Sequence, residues 1–222
     1  MATKEEVCAR IKEIGILPAI RVASAKDALF AAEEMFRCGI PVVELTMTVP
    51  GALDVIGELS RTSPNLMVGA GTVLNPDAAR ACIDAGAAFI TSPGFNPKTV
   101  DFTLRQNVCS IPGALTPTEV MMAHDAGADM LKIFPCAQVG GPEYIRALRA
   151  PFPRVGFIAS GGVDQMTAGE FIRAGAVAIG IREKLIPREA IERRDQNWIR
   201  ELSGRFLNIV QKTRTEFKIA AI

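Results

Sequence analysis

The chain has 222 residues; 49% are hydrophobic, 25 are basic, 24 are acidic, and the net charge is +1. A chain of this length and composition buries a full core, which excludes disorder. Its balanced charge offers neither nucleic acid nor an anionic membrane surface a footprint, and no apolar run approaches the roughly 20 residues of a membrane span.

The opening MATKEEVCARIKEIG is charged and helical in pattern, unlike a secretory signal. A short apolar run, Pro18–Arg21, follows. Next comes a helical stretch in which Leu29, Ala32, Met35 and Phe36 share a face; it stops at the glycine of FRCG. VVELT (Val42–Thr46) and MVGAG (Met67–Gly71) are the second and third apolar runs, with a helical segment between them. Asn75-Pro76-Asp77 then reads as an N-cap, a proline at the first helical position and an acid in the first turn. FITSP (Phe89–Pro93) leads to the same device at Asn96-Pro97, and VCSIPG (Val108–Gly113) leads to a capping box at Thr116-Pro117-Thr118-Glu119. MLKIFP (Met130–Pro135), GFIASGG (Gly156–Gly162) and AVAIGI (Ala176–Ile181) complete the series, with Asp164 placed to cap the helix that runs to Arg173. The final segment, Arg188–Phe217, is charged and mostly helical, with Trp198, Leu202, Phe206 and Ile209 as its packing stripe. Five cysteines (Cys8, Cys38, Cys82, Cys109 and Cys136) make an odd set without a CxxC pair, which fits reduced thiols in the cytoplasm.

The apolar runs lack polar alternation, as strands buried on both faces do. Strict alternation of such strands with helices demands a parallel sheet. Eight repeats without a change of composition predict closure into a (β/α)8 barrel over about residues 16–187. The eighth helix and a C-terminal extension follow at about 188–217, all in one domain, 1–222. Such barrels carry their chemistry at the C-terminal strand ends. Here those positions hold Arg21, Glu44, Thr72, Pro93, Pro112, Lys132, Phe134, Ser160 and Arg182.

Two of these residues do not belong in apolar strands for packing reasons. Lys132 stands between Leu131 and Ile133. A free lysine titrates at roughly 10.4, and burial lowers that value; near ~7–8 the amine is a nucleophile that condenses with ketones. The imine so formed is an electron sink that lets a neighbouring carbon–carbon bond break. The alternative is a lysine that snorkels to the rim. Glu44 lies inside VVELT, where a carboxylate must be paired, protonated or functional. Beside Lys132 it would shuttle protons; otherwise it is a structural ion pair. GAGT (Gly69–Thr72) suits a carboxylate at a strand end. SGG (Ser160–Gly162) stands after the seventh strand, where barrels often bind phosphate. His124, the single histidine, reads as a helix-surface residue, so a histidine-built metal site is not expected.

VVELT, VGAGTVLNP, ITSPG, IPGALTPTE, LKIFPC and SGGV, in this order, resemble the 2-keto-3-deoxy-6-phosphogluconate (KDPG) and 4-hydroxy-2-oxoglutarate (KHG) aldolases over roughly residues 16–187. LKIFPCAQVGGPEYIRALRA also resembles the phosphogalactonate (KDPGal) branch. The resemblance implies a metal-free, cofactor-free class I aldolase, usually a homotrimer. It would cleave a 2-keto-4-hydroxy acid to pyruvate and an aldehyde in metabolism of the Entner–Doudoroff kind. It implies Lys132 as the Schiff-base lysine, Glu44 as the acid/base, and Thr72 with the turn before it at the pyruvyl carboxylate. Pro93 and Phe134 would form the apolar wall, and Ser160, Gly161 and Gly162 would meet the distal part of the substrate.

The chain departs from the pattern twice. Many members have an arginine four residues after the catalytic glutamate, where this chain has Thr48; the KDPGal branch has it on the first strand instead, where Arg21 stands here. Relatives tend to have Gly-Ser in the eighth strand's loop, whereas this chain has Arg182-Glu183. The second departure leaves KHG or another unphosphorylated keto acid as a candidate beside the phosphorylated ones. Two other readings stay open: a phosphosugar isomerase or epimerase on the same barrel, and a barrel that binds a small acid without turnover.

Overall fold

The computed structural model describes residues 2–217; Met1 and residues 218–222, the ends of the expected 1–222 domain, lie outside the described residues. The order of elements is α1 (Lys4–Ile14), β1 (Ile16–Ile20), α2 (Ala25–Arg37), β2 (Val42–Thr46), α3 (Ala52–Thr62), β3 (Met67–Gly71), α4 (Pro76–Asp84) and β4 (Phe89–Thr91). It continues with α5 (Pro97–Arg105), β5 (Cys109–Ile111), β6 (Gly113–Ala114), α6 (Pro117–Asp125), β7 (Leu131–Ile133) and a 3-10 turn (Ala137–Val139). Then come α7 (Pro142–Arg149), β8 (Phe157–Ser160), α8 (Ala168–Arg173), β9 (Ala178–Ile181), α9 (Arg188–Glu192) and α10 (Gln196–Phe217). Within the described residues nine parallel strands form a nearly closed (β/α)8-type barrel, in the order β5-β4-β3-β2-β1-β9-β8-β7-β6.

That order begins and ends inside one expected strand, VCSIPG, which Pro112 divides. The proline has no amide hydrogen and breaks the ladder, so β5 pairs with β4 and β6 pairs with β7. The carbonyls of Ser110 and Pro112 still accept from the amides of Asp129 and Lys132, at 3.0 and 2.9 Å, and bring the two edges together.

The helix starts follow the local chemistry. Asn75 and Asn96 accept from amides of the first turn, with Pro76 and Pro97 just inside, and Thr116 and Glu119 form a capping box. Four expectations need correction. The first strand is Ile16–Ile20 rather than Pro18–Arg21: Pro18 sits inside it at the loss of a ladder donor, and Arg21 lies beyond its end. Phe36 is solvent-exposed, while Ala28, Ala31, Ala32 and Met35 carry the buried face of α2. Asp164 accepts from Met166 and Thr167 in the preceding turn, so it shapes the approach to α8 and does not cap the helix. The C-terminal segment is broken at Arg194, where φ is +54°, and the deepest stripe of α10 is Ile199, Phe206 and Val210, with Trp198, Leu202 and Ile209 flanking it.

Two apolar layers result. One lies between strands and helices. The other fills the barrel's floor, where Leu17, Val42, Phe89, Cys109, Met130 and Ala178 meet Val7 and Ile11 of α1. Each of those two α1 side chains is fully buried and contributes about 1.5–3 kcal/mol by leaving water. The inward face alternates with period two. Above Val42 comes Glu44, and above Met130 comes Lys132, so the floor sets which face both charged residues share.

Candidate active site

Lys132 and Glu44, 88 positions apart, meet inside the barrel. The Lys132 Nζ donates to both carboxylate oxygens of Glu44, at 3.0 and 3.3 Å. Glu44 is 2% exposed and Lys132 is 9% exposed. Register places Glu44 beside Ala19 and Gly69, and Lys132 beside Gly113 and Ile158. Burying two opposite charges costs several kcal/mol per ion, which their attraction only partly offsets. An apolar pair would fill the same space at no such cost.

Small neighbours make the room. A Cβ on Gly71 would lie 2.1 Å from Glu44 Oε1 and 2.5 Å from its Cδ, so the carboxylate occupies the space that any larger residue there would take. The Ser160-Gly161-Gly162 turn has a similar constraint. Gly161 and Gly162 have φ of +89° and +80°, which favour glycine, and the carbonyls of Ser160 and Gly161 accept from the amides of Cys136 and Ala137.

The ion pair opens into a cavity of about 430 Å³ at the C-terminal strand ends. The residues assigned a role from the sequence line it: Arg21, Glu44, Thr72, Pro93, Lys132 and Phe134, and on the distal side Ser160, Gly161, Gly162, Arg182 and Glu183. Pro112, also expected near the strand ends, is not among them; its carbonyl accepts from the Lys132 amide instead. His124 is exposed on the last turn of α6, away from the cavity.

Around the pair the groups fall into two ends. On one side the Arg21 guanidinium lies 3.5 Å from the Thr72 hydroxyl, and Thr72 holds a φ of +61°, a strained region for a β-branched residue. Thr48, at the position of the missing arginine, turns to the Thr46 hydroxyl at 3.0 Å. Phe134 is 38% exposed and places its ring centroid 5.9 Å from Lys132 Nζ. On the other side Arg182 pairs with Glu183 at 2.9 Å. Thr46, Gln138 and Lys184 also line the cavity and were not expected from the sequence. Thr46 was recoverable, because it lies two residues beyond Glu44 and shares its face. Gln138 sits in the 3-10 turn and Lys184 just past a strand end, where polar residues are ordinary.

A family model for KDPG and KHG aldolases matches residues 7–202. The chain belongs to the KDPG and KHG aldolase family. It is 31% identical over 207 residues to the 2-dehydro-3-deoxy-phosphogluconate aldolase of Pseudomonas aeruginosa, covering 91% of this chain and 94% of that one. The KDPG aldolase of Legionella pneumophila, captured at low pH with pyruvate as a covalent carbinolamine, superposes with a TM-score of 0.83 at 30% identity, over 88% of this chain and 95% of that one. A native KDPGal structure has a TM-score of 0.82 at 26% identity, over 90% of this chain and 96% of that one. In this family setting, the lysine and glutamate that the sequence singled out are the buried pair at the centre of the cavity.

Proposed function

We propose that the protein is a class I aldolase that cleaves a 2-keto-4-hydroxy acid to pyruvate and an aldehyde through an imine on Lys132. The observation that carries this reading is the buried Lys132–Glu44 pair at the mouth of the barrel. Glu44 accepts a proton from the Lys132 ammonium, and the free amine adds to the C2 carbonyl of the substrate. Glu44 returns that proton to the carbinolamine hydroxyl, and loss of water gives the protonated imine. Glu44 then takes the C4 hydroxyl proton, the C3–C4 bond breaks, and its electron pair flows into the imine as an enamine. The aldehyde leaves, C3 is protonated, and water releases pyruvate. No separate cofactor enters this sequence.

Arg21, with its forked guanidinium, and Thr72 hold the keto acid's carboxylate. Pro93 and Phe134 cover the imine and keep water from it, and Ser160, Gly161 and Gly162 receive the distal hydroxyls. The whole chain acts as one domain, in the cytoplasm, as a homotrimer; no helix among the described residues is long and apolar enough to cross a membrane. Pyruvate with borohydride gives a reduced adduct on Lys132, found by peptide mass spectrometry. An adduct on another lysine, or none, overturns the assignment.

The distal end sets the aldehyde half. Arg182 engages Glu183, and Lys184 adds a cation at the same wall, but the serine hydroxyl of a Gly-Ser phosphate turn is absent and the Glu183 carboxylate stands at its position. This favours KHG or another unphosphorylated keto acid over KDPG and KDPGal. Replacing both residues (Arg182→Gly, Glu183→Ser) raises kcat/KM for the phosphorylated substrates relative to KHG by about tenfold, the equivalent of one charge-assisted hydrogen bond. A ratio unchanged or lowered in side-by-side kinetics contradicts this account of the loop.

A further inference from the structure

At the end of the barrel opposite the cavity, Cys8 on α1 and Cys109 at the start of β5 face each other with their sulfurs 3.3 Å apart. Neither contributes to the aldol site. Cys109 is fully buried, while Cys8 is half-buried and lines an open groove with Lys4, Glu5, Lys12, Glu13 and Asp129. The two elements that carry them are fixed to one side chain. Asp129 pairs with Lys4 at 2.8 Å, one turn before Cys8, and accepts from the amide of Ser110 at 2.9 Å, next to Cys109. Val7 and Ile11 seat the same helix in the barrel floor. The Asp129 carboxylate therefore ties together the two elements that carry the thiols.

Their surroundings divide the labour. With Cys109 donating its hydrogen, the bond it makes pulls the Cys8 thiol below its ordinary value. Lys12 and Lys4 act in the same direction, and burial and Asp129 oppose them. The same bond, with burial, pushes Cys109 well up. Burial pushes Cys38, Cys82 and Cys136 up as well, the last two to about 11 and about 12. Among these thiols Cys8 combines exposure to solvent with the stronger thiolate character, which is what governs reactivity.

We propose that Cys8 and Cys109 form a thiol–disulfide exchange site, in which Cys8 takes up a small aliphatic disulfide and Cys109 resolves the adduct into a bridge between α1 and β5. The Cys8 thiolate attacks one sulfur of the disulfide; that S–S bond breaks, and the first thiolate leaves and takes a proton from solvent. Cys109 then loses its proton and attacks the Cys8 sulfur, and the second thiolate leaves. Two protein thiols are oxidised and one external disulfide is reduced to two thiols. The closure needs the sulfurs to approach by about 1.3 Å, to the ~2.05 Å of an S–S bond. The groove carries two lysines against three acids, so an uncharged disulfide escapes the net repulsion that an anionic one would meet there and suits it better.

The test uses the full-length reduced protein and bis(2-hydroxyethyl) disulfide, followed by intact mass and by peptide mapping without reductant. The wild-type protein passes through a transient adduct on Cys8 and ends with a Cys8–Cys109 cross-link. Cys109→Ala stops at the adduct, and Cys8→Ser gives neither product at Cys109. Cys8 reacts about tenfold faster than Cys38. The bridge spans a separation of 101 positions, so the oxidised protein melts at a higher temperature, and dithiothreitol reverses the shift. Should Cys109→Ala fail to fold, the wild-type time course decides alone. The proposal is overturned by Cys8 and Cys109 both remaining free after Cys38 has reacted, or by an adduct that persists on Cys8 of the wild-type protein.

Discussion

Lys132→Ala abolishes turnover: kcat falls by about four orders of magnitude or more, and pyruvate no longer forms a borohydride-stable adduct. A covalent mechanism has no alternative route once its nucleophile is gone, and removing such a residue forfeits the whole stepwise path. Lys132 is the amine seated inside the barrel, bonded to Glu44 at 3.0 Å. The same substitution leaves the Glu44 carboxylate buried without its cation, which costs about 3–5 kcal/mol of stability if the charge stays. Lys132→Met refills the lost volume but leaves Glu44 equally unpaired, so fold and chemistry are measured separately in it. Circular dichroism and a melting curve establish that the barrel is intact, and turnover on KHG, KDPG and KDPGal measures the chemistry. An isomerase or epimerase on this barrel would not need the amine as a nucleophile, so a folded Lys132→Met enzyme with substantial activity rules out the imine.

Much of this architecture is written locally. Thr116 with Glu119, and Asn75 and Asn96 with their following prolines, mark helix starts within a few residues, so the alternation of strands and helices is legible without tertiary information. Strand ends are not. Pro93, Pro135 and the Gly161-Gly162 turn continue the apolar runs in composition, yet they belong to loops that wall the cavity. Pro112 divides a strand that burial alone would draw as continuous, since residues on both sides of it are buried.

The site was legible for a related reason. A lysine and a glutamate within apolar strands conflict with their surroundings, and such conflicts gather at functional positions. Thr46 raises no conflict, because threonine is an ordinary strand residue. Gly71 shows where the reading of GAGT was incomplete. The glycine suited a carboxylate-binding turn in the sequence, while in the fold it clears space for the carboxylate of Glu44, which arrives from the neighbouring strand. That use depends on the β2–β3 register, which no single run of residues encodes.

Glu44→Gln tests whether the pair exists for catalysis or for the fold. The amide is nearly isosteric, and its oxygen still accepts a hydrogen bond from Lys132 Nζ, so the lysine keeps its place; what is lost is the ability to take and return a proton. General acid–base catalysis contributes about 10²–10⁴-fold, and kcat falls by that factor while KM changes little, since Arg21 and Thr72 remain to hold the keto acid. The adduct with pyruvate still accumulates under borohydride, only more slowly. Deuterium exchange into the methyl group of pyruvate, followed by NMR, is the sharper readout: it requires imine formation and proton transfer at C3 but no aldehyde. In Glu44→Gln the exchange falls in parallel with kcat. A structural role predicts the reverse pattern, a lowered melting temperature with exchange and kcat within a few-fold of the parent. That outcome would remove Glu44 from the reaction and require another proton acceptor near Lys132, for which the hydroxyls of Thr72 and Ser160, both on the cavity wall, are the next residues to test.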